Sequence, residues 1–361
     1  MTIQLLVRYQ DPADERPRVG LLRDGRLHTL ADVPSMSALL TRTRDEVRRA
    51  CDEARPVEPG DVQLLAPGAG QPVAPADETR LVAAADVRTV EPGDVSTVEH
   101  GDVRTVEQGD VRPVAPGDVR LAVPGQVQLL APVDGHTEVW AAGVTYRRSV
   151  QARVLESEHT PDVYDRVYNA ERPELFFKST AWRVVASGQP VAIRSDSPVN
   201  VPEPELAVVI NAHGEVVGYT VANDMSSRSI EGENPLYLPQ AKVYLGSCAL
   251  GPGIRPAWEL ADPYALRISM TIDRDGVAVW SGEAGTGELQ RRIDELAKYL
   301  WRAEEFPYGV VLCTGTCLVP DLPFTLEPGD RVRIGISGIG TLENPVVRGK
   351  AAMSWLTGEA R

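Results

Sequence analysis

The sequence predicts an α+β protein that is mainly β: a rolled mixed β-sandwich with a small N-terminal α+β domain. Short apolar runs recur through the second half of the chain, and turn signals separate them. One stretch in that half, about residues 287–303, has a clear helical stripe, formed by Leu289, Ile293, Leu296 and Leu300. Because a doubly wound sheet needs a crossover helix between successive strands, the shortage of helices favours the sandwich.

The strands of this half are predicted from their apolar runs. They are Leu206–Ile210, Val216–Val221, Leu266–Ile272, Val277–Trp280, Val310–Leu312 and Arg331–Ile336. Turns between them are marked by His213-Gly214, Asp275-Gly276 and Pro328-Gly329. Two further helices are predicted on weaker patterns, one near 146–157 and one within 224–232.

The first 66 residues are predicted to form the small α+β domain. Residues 3–8 and 18–30 are typical of short strands, and Asp24-Gly25 is a hairpin signal. A helical pattern rich in Arg, Asp and Glu follows over 35–54. The catalytic domain is predicted to occupy 126–361.

Between these two domains, residues 67–125 are interpreted as an insertion. Its later part repeats every eight residues, with an Asp-Val step at Asp86, Asp94, Asp102, Asp110 and Asp118. The sequence Val-Gln-Leu-Leu-Ala-Pro occurs on both sides of the insertion, which indicates a slipped duplication. The repeats are predicted to form either a flexible acidic loop or a small solenoid, and none of their residues has obvious chemistry.

Charge and cysteine content exclude several classes of function. The net charge is −14, and so acidic a surface repels phosphate backbones, which argues against nucleic-acid binding. The four cysteines are too few and scattered for a disulfide framework. Cys313 and Cys317 lie four apart, but no Cys or His partners cluster nearby to complete a zinc site. Without a signal peptide or a long apolar span, a cytoplasmic protein with no membrane partner is expected.

The sharpest candidate site begins with two glutamates. Glu203 and Glu205 sit two apart at the start of an apolar strand, so their side chains leave the same face. Neighbouring carboxylates repel each other unless a cation neutralises them. Carboxylate oxygens suit Mg²⁺, Mn²⁺ or Ca²⁺, so the pair predicts a divalent-metal site. The alternative is a solvated strand edge that Pro204 protects.

Two charged residues follow at intervals of nearly twenty positions. Asp224 ends an apolar strand, which is typical of a site residue; the alternative is an N-cap for the helix that follows. Lys242 lies among apolar neighbours, and the alternative there is a surface lysine with its stem laid along the protein.

Together these residues resemble one enzyme family. The resemblance rests on Glu203-x-Glu205, Asn223-Asp224-x-x-x-Arg228, Lys242 and Ile336-x-Gly338-Ile339-Gly340-x-Leu342-x-Asn344. Their spacing is similar to that of the fumarylacetoacetate hydrolase superfamily over about 130–350, which implies that family's rolled β-sandwich fold and a homodimer. It also implies that Glu203, Glu205 and Asp224 bind Mg²⁺ or Mn²⁺, which chelates a small-molecule 2-keto acid.

The resemblance extends to the walls of the pocket. It implies that Arg228 and Lys242 line the pocket that holds the 2-keto acid. It also implies that Thr316, in Thr314-Gly315-Thr316, contacts the substrate carboxylate.

One departure from the family pattern bears on the reaction. Hydrolytic members carry a His–Glu dyad that activates water, and here the two positions hold Ser149 and Ala152. Neither side chain is a general base near neutral pH. The stretch Gly143-Val-Thr-Tyr146-x-x-Ser149-x-x-Ala152-Arg153 instead resembles the 2-keto-3-deoxy-D-arabinonate dehydratase-like branch of the family. Tyr146 and Ser149 are accordingly predicted to contact substrate.

A third stretch, Arg172-Pro-Glu174-Leu-Phe-Phe-Lys178, agrees with the same branch. Glu174 precedes an apolar strand and is predicted to act as an acid or base; the alternative is a glutamate on a surface turn. Lys178 is predicted to contact substrate, with pairing to a carboxylate as the alternative.

The predicted reaction is the dehydration of a 2-keto-3-deoxy sugar acid. Chelation acidifies the C3 proton, Lys242 or Glu174 takes it, and the other residue or a water assists loss of the C4 hydroxyl. A five-carbon acid would end as 2-oxoglutarate semialdehyde. One alternative is a hydrolase or decarboxylase/isomerase of acylpyruvate-type diketo acids that draws its base from Glu156, Glu158 or His159. Another is a non-catalytic binding or scaffold protein.

Overall fold

The computed structural model of the chain describes residues 3–10, 16–57, 127–148 and 166–358. These residues belong to one compact unit, which comprises Met1–Gly70 and Arg120–Arg361. The octapeptide insertion predicted at 67–125 lies outside the described residues, so it and the three-domain division stay predictions. Most of the helix predicted near 146–157 also lies outside them.

Strands dominate the described chain, which confirms the predicted mainly-β fold. In chain order they are β1 Gln4–Gln10, β2 Pro17–Arg23, β3 Arg26–Thr29, β4 Arg55–Pro56, β5 Gln128–Leu130, β6 Glu138–Gly143, β7 Glu174–Thr180, β8 Val191–Ile193, β9 Asn200–Val201, β10 Pro204–Ile210, β11 Val216–Asp224, β12 Ser226–Ser227, β13 Cys248–Pro256, β14 Arg267–Arg274, β15 Val277–Gly285, β16 Val310–Thr316, β17 Arg331–Ile336 and β18 Gly340–Arg348.

The helices of the described chain are few and short. They are α1 Met36–Leu39, α2 Arg44–Asp52, α3 Arg228–Glu233, α4 Leu238–Lys242, α5 Ile293–Leu300 and α6 Trp355–Gly358. Single 3₁₀ turns cover Ala181–Arg183, Pro235–Tyr237, Ala257–Glu259, Thr286–Glu288 and Lys350–Met353.

Most described strands belong to one of two mixed sheets. The larger runs β4-β3-β2-β1-β13-β11-β10-β16-β6-β7, with β5 also paired to β1; the smaller runs β15-β14-β17-β18-β8. The strands β9 and β12 pair separately. Most neighbours are antiparallel, and β6 with β16 and β8 with β18 are the parallel pairs of the described sheets. This arrangement of two mixed sheets agrees with the predicted sandwich.

Strand β10 explains where the core lies. All seven of its residues are buried, because apolar residues cover both faces of the larger sheet. Leu206 and Val208 belong to a cluster shared with Ile268 and Ile334 of the smaller sheet. On the opposite face, alternate residues of β10 belong to a second cluster that includes α1 and α2 residues. The Glu203–Glu205 segment therefore enters the most buried part of the molecule.

The N-terminal strands join the larger sheet, since β1 pairs with β13. The predicted hairpin is confirmed: β2 and β3 pair around Asp24 and Gly25, whose φ angles are 51° and 70°. The single helix predicted over 35–54 is wrong in part, because two helices replace it. Thr43 starts the second, accepting a hydrogen bond from the Glu46 amide while Glu46 accepts one from the Thr43 amide, a capping box.

The helix predicted over 287–303 is shorter than expected. Helix α5 covers Ile293–Leu300 and buries Ile293, Leu296 and Leu300, as its stripe predicts. Leu289 lies outside it, because Arg292 has an extended backbone and a 3₁₀ turn precedes it. The helix predicted within 224–232 is confirmed as α3.

Two other findings concern the predicted classes of protein. No helix in the described part of the chain is long and apolar enough to cross a membrane. All four cysteines are buried and free. Burial raises the pKa of Cys317 to about 12, and neither Cys313 nor Cys317 belongs to a cluster of metal-ligating residues among the described residues.

Candidate metal and keto-acid site

The three predicted carboxylates meet at the ends of two neighbouring strands. Glu205 lies near the start of β10, Asp224 ends β11, and the two strands pair antiparallel. The Asp224 amide donates to the Glu203 carbonyl at 2.9 Å. One oxygen from each of Glu203, Glu205 and Asp224 lies within 4.8 Å of the others. Glu203, Glu205 and Asp224 are hereafter called the carboxylate triad.

The triad is buried, with exposed fractions of 2% for Glu203, 1% for Glu205 and 2% for Asp224. The interpretation of the glutamates as a solvated strand edge is therefore wrong. Carboxylates are rarely so buried unless cations pair with them.

Three cationic side chains balance the triad. Lys242 Nζ lies 2.7 Å from Glu203 Oε2 and 3.1 Å from Asp224 Oδ2. Arg228 Nη1 lies 3.1 Å from Glu203 Oε1, and Lys178 Nζ lies 2.5 Å from Asp224 Oδ1. Lys242 is fully buried, so its interpretation as a surface lysine is wrong. The alternative offered for Lys178, pairing with a carboxylate, is what the structure has.

Asp224 is not a helix cap. Helix α3 begins at Arg228, its N-cap is Ser227, and that cap has no side-chain hydrogen bond. The N-cap interpretation of Asp224 is wrong because its two oxygens face Lys178 and Lys242 instead.

Glu205 has the smallest exposed fraction of the triad. Burial, followed by the charges of Asp224 and Glu203, raises its pKa well above the usual range. The Gly315 amide donates to its Oε2 at 2.6 Å, which opposes the rise only in part. A divalent cation would relieve the repulsion that raises this pKa. The crowded oxygens therefore fit a hard cation such as Mg²⁺.

Glycine is required at position 315 for two reasons. Its φ is +94°, and a Cβ there would overlap the Thr145 hydroxyl. That hydroxyl donates to the Thr314 carbonyl at 2.6 Å. The loop after β6 thus holds the end of β16, so that the Gly315 amide points at Glu205. Sequence reasoning did not identify this donor; the only signal for it was the glycine between two threonines.

A small cavity of about 10 Å³ opens beside the triad. Its lining residues are Ala142, Gly143, Val144, Phe176, Glu203, Glu205, Asp224, Gly315 and Thr316. Glu174 pairs with Gly143 across β6 and β7, and a Cβ at Gly143 would overlap the Glu174 carboxylate. The carboxylate of Glu174 therefore lies against Gly143, which is part of the cavity wall.

The other residues predicted to contact substrate are only partly described by the structure. The Thr316 hydroxyl lies 3.0 Å from both the Pro204 and Leu318 carbonyl oxygens and lines the cavity. Tyr146 is buried, which raises its pKa. Ser149 lies outside the described residues, as do Ala152, Glu156, Glu158 and His159. Substrate contact by Thr316, Tyr146, Ser149, Arg228 and Lys178 stays a prediction.

Comparison with known proteins places this site in a family. The family profile described as "Fumarylacetoacetate (FAA) hydrolase C-terminal" matches residues 138–347. A relative from Haloferax volcanii, "Probable 2-keto-3-deoxyxylonate dehydratase", is 54% identical over 215 residues, which are 60% of this chain and 73% of the relative.

Two solved structures support the same assignment. "2-keto-3-deoxy-D-arabinonate dehydratase complexed with magnesium and 2,5-dioxopentanoate" is 41% identical, with a TM-score of 0.58 over 62% of this chain and 77% of that one. "2-keto-3-deoxy-D-arabinonate dehydratase apo form" is 30% identical, with a TM-score of 0.68 over 96% of this chain and 100% of that one. These matches confirm the predicted fold and the predicted resemblance. The chain belongs to the fumarylacetoacetate hydrolase family.

Proposed function

We propose that this chain is a metal-dependent hydro-lyase that dehydrates a 2-keto-3-deoxy pentonate to 2,5-dioxopentanoate, which is 2-oxoglutarate semialdehyde. The observation that carries the proposal is the buried carboxylate triad with the Lys242 ammonium shared between Glu203 and Asp224. The names of the similar proteins, with magnesium and 2,5-dioxopentanoate in one of them, support the substrate class.

The overall reaction requires two proton transfers in addition to loss of water. First C3 loses a proton and C4 loses its hydroxyl, which leaves a C3–C4 double bond. Then C5 loses a proton and C3 regains one, which gives an enol with a C4–C5 double bond. This enol becomes the C5 aldehyde when its hydroxyl loses a proton and C4 gains one. Groups that both accept and donate protons must therefore lie beside the carbon chain.

The triad would hold a divalent cation, preferably Mg²⁺. When bound, such a cation withdraws electrons from the keto and carboxylate groups of the substrate and so acidifies C3. Glu203, Glu205 and Asp224 orient the bound keto acid relative to Lys242 and Glu174. Burial of the site excludes bulk water, which strengthens each electrostatic contact within it.

Lys242 and Glu174 are the residues proposed to move protons. The Lys242 ammonium lies within hydrogen-bond reach of two triad members. The Glu174 carboxylate lies against Gly143, which lines the cavity. One of the two takes the C3 proton, and the other donates a proton to the departing C4 hydroxyl. Arg228 and Thr316 are proposed to hold the substrate carboxylate, with Lys178, Tyr146 and Ser149 as further contacts.

A direct assay tests the proposed function. Metal-free protein is given MgCl₂ and either a 2-keto-3-deoxy pentonate or an acylpyruvate, and both loss of keto acid and formation of aldehyde are followed. We expect aldehyde from the pentonate only, and none after the metal is chelated. Turnover of the acylpyruvate alone would favour the hydrolase alternative, and turnover of neither would favour the non-catalytic one.

Two further expectations, on oligomeric state and cellular location, accompany this proposal. A homodimer is proposed because the family resemblance implies one, and light scattering would give about twice the chain mass of 39.2 kDa. A cytoplasmic location is proposed because the four cysteines are free thiols in the structure.

A further inference from the structure

Lys178 has contacts with the protein that a role in substrate binding does not by itself explain. It lies in β7 and is fully buried. Its ammonium lies 2.5 Å from Asp224 Oδ1, 3.0 Å from the Met225 carbonyl oxygen and 2.5 Å from the Lys242 carbonyl oxygen. The ammonium therefore donates to two main-chain carbonyls and forms an ion pair with the Asp224 carboxylate.

The choice of lysine at this position fits those acceptors. Three oxygens converge on one nitrogen, whereas an arginine would spread its donors over a planar fork. The chain has 4 lysines among its 37 basic residues, and the other 33 are arginines. Two of the four lysines, Lys178 and Lys242, are the ones buried at the triad. The site therefore contains two compact ammonium groups, in a chain whose basic residues are mostly arginines.

The ammonium also makes the two oxygens of Asp224 different from each other. Oδ1 faces Lys178, which two main-chain carbonyls also hold, while Oδ2 faces Lys242, whose ammonium is shared with Glu203. A cation placed among the triad can take over Oδ2 without disturbing Lys178. Taking Oδ1 as well would require breaking its ion pair with a buried lysine.

We infer that Lys178 is a positioning residue that keeps Asp224 a one-oxygen ligand and thereby favours Mg²⁺ over Ca²⁺. Mg²⁺ demands compact octahedral coordination, whereas Ca²⁺ accepts more oxygens and two-oxygen carboxylates. The contacts of Lys178 with two main-chain carbonyls also tie the end of β11 to the end of α4, which carries Lys242. This inference rests on the proposed metal site.

Titration calorimetry with MgCl₂ and CaCl₂ tests it on the metal-free full chain. The variant is Lys178→Met, and the matched control is Lys298→Met, whose side chain is 76% exposed and pairs with Asp294. Removing a buried positive charge strengthens the binding of both divalent cations alike, so that effect cancels in the ratio of their dissociation constants. We expect Lys178→Met to shift the ratio about tenfold toward Ca²⁺ and Lys298→Met to leave it unchanged.

An equal change for both metals, or none, would overturn the role of Lys178 while leaving the metal site intact. If the wild-type protein binds neither metal, the proposed function fails as well. Should Lys178→Met not fold, a crystal structure of the Mg²⁺-loaded wild-type protein decides. We expect one Asp224 oxygen on the metal and Lys178 still on the other; coordination by both oxygens contradicts the inference.

Discussion

Two clusters of buried charge lie at the ends of neighbouring antiparallel strands, and they are built differently. On the smaller sheet, Asp330 precedes β17 and Arg274 ends β14. Two oxygens of Asp330 meet two nitrogens of Arg274 at 2.7 and 2.8 Å, and the Glu327 amide adds a third bond at 2.8 Å. On the larger sheet, three carboxylates share three cations within a few ångströms.

The difference separates a structural ion pair from a binding site. Arg274 meets Asp330 with bidentate geometry and also pairs with the Glu327 carboxylate at 2.6 Å, so an added ion would gain nothing. In the triad, carboxylates lie against other carboxylates, and burial together with these neighbouring charges raises the pKa of Glu205. Carboxylates crowded together in this way, whose mutual repulsion a bound cation would relieve, are the mark of the functional site.

The largest expected effect is a difference in activity between matched substitutions in the two clusters. Asp224→Asn should lower kcat/KM about 1000-fold, or about 4 kcal/mol, because the triad loses one of its charges. Asp330→Asn should leave kcat/KM within about twofold but lower the free energy of unfolding by about 2–4 kcal/mol. Steady-state kinetics and urea unfolding of both variants measure this. Equal kinetic losses would contradict the distinction.

A second prediction concerns the backbone beside Glu205. Gly315→Ala places a Cβ against the Thr145 hydroxyl at a φ of +94°, whereas Gly329→Ala has a φ of +96° and nothing within 4 Å. The two variants carry the same backbone cost, so overlap should cost Gly315→Ala about 1–3 kcal/mol more in free energy of unfolding. It should also weaken Mg²⁺ binding, measured by calorimetry. Equal losses of stability and equal Mg²⁺ binding in the two variants would contradict this prediction, because they would show that the loop carrying Thr145 can move aside.

The smallest expected effect is a pH dependence of stabilisation by metal. Because the pKa of Glu205 is raised above 4.5 in the folded protein, the contribution of Glu205 to metal-free stability is full at low pH and is lost as pH rises through that pKa. Mg²⁺ binds the ionised carboxylates, so it restores what ionisation removes. The rise in Tm on adding MgCl₂ should be several degrees larger at about pH 8 than at about pH 5. Glu205→Gln should flatten this difference.

The pattern of apolar residues and the spacing of charged residues were sufficient to predict much of the fold and of the candidate site. The apolar runs around Leu206–Ile210 and Arg331–Ile336 predicted strands because residues of one strand share faces at a period of two. The short spacing of Glu203 to Glu205, at the mouth of such a strand, predicted carboxylates on one face. The helices were predicted too long, because the helical pattern of the sequence continues through residues that are not helical in the structure. Thr43 and Arg292, for example, have an extended backbone and precede the helices.

By itself, the sequence determined the mainly-β class, the carboxylate triad and the place of Lys242 near it, because each depends on local periodicity or on motif spacing. Only the tertiary structure decided that Lys178, 46 positions before Asp224, holds one of its oxygens, and that the Gly315 amide serves Glu205. It also decided that β1 extends the sheet that carries the site. Such contacts join strands distant in sequence, and their register is set by burial across the whole sheet, which no local pattern encodes.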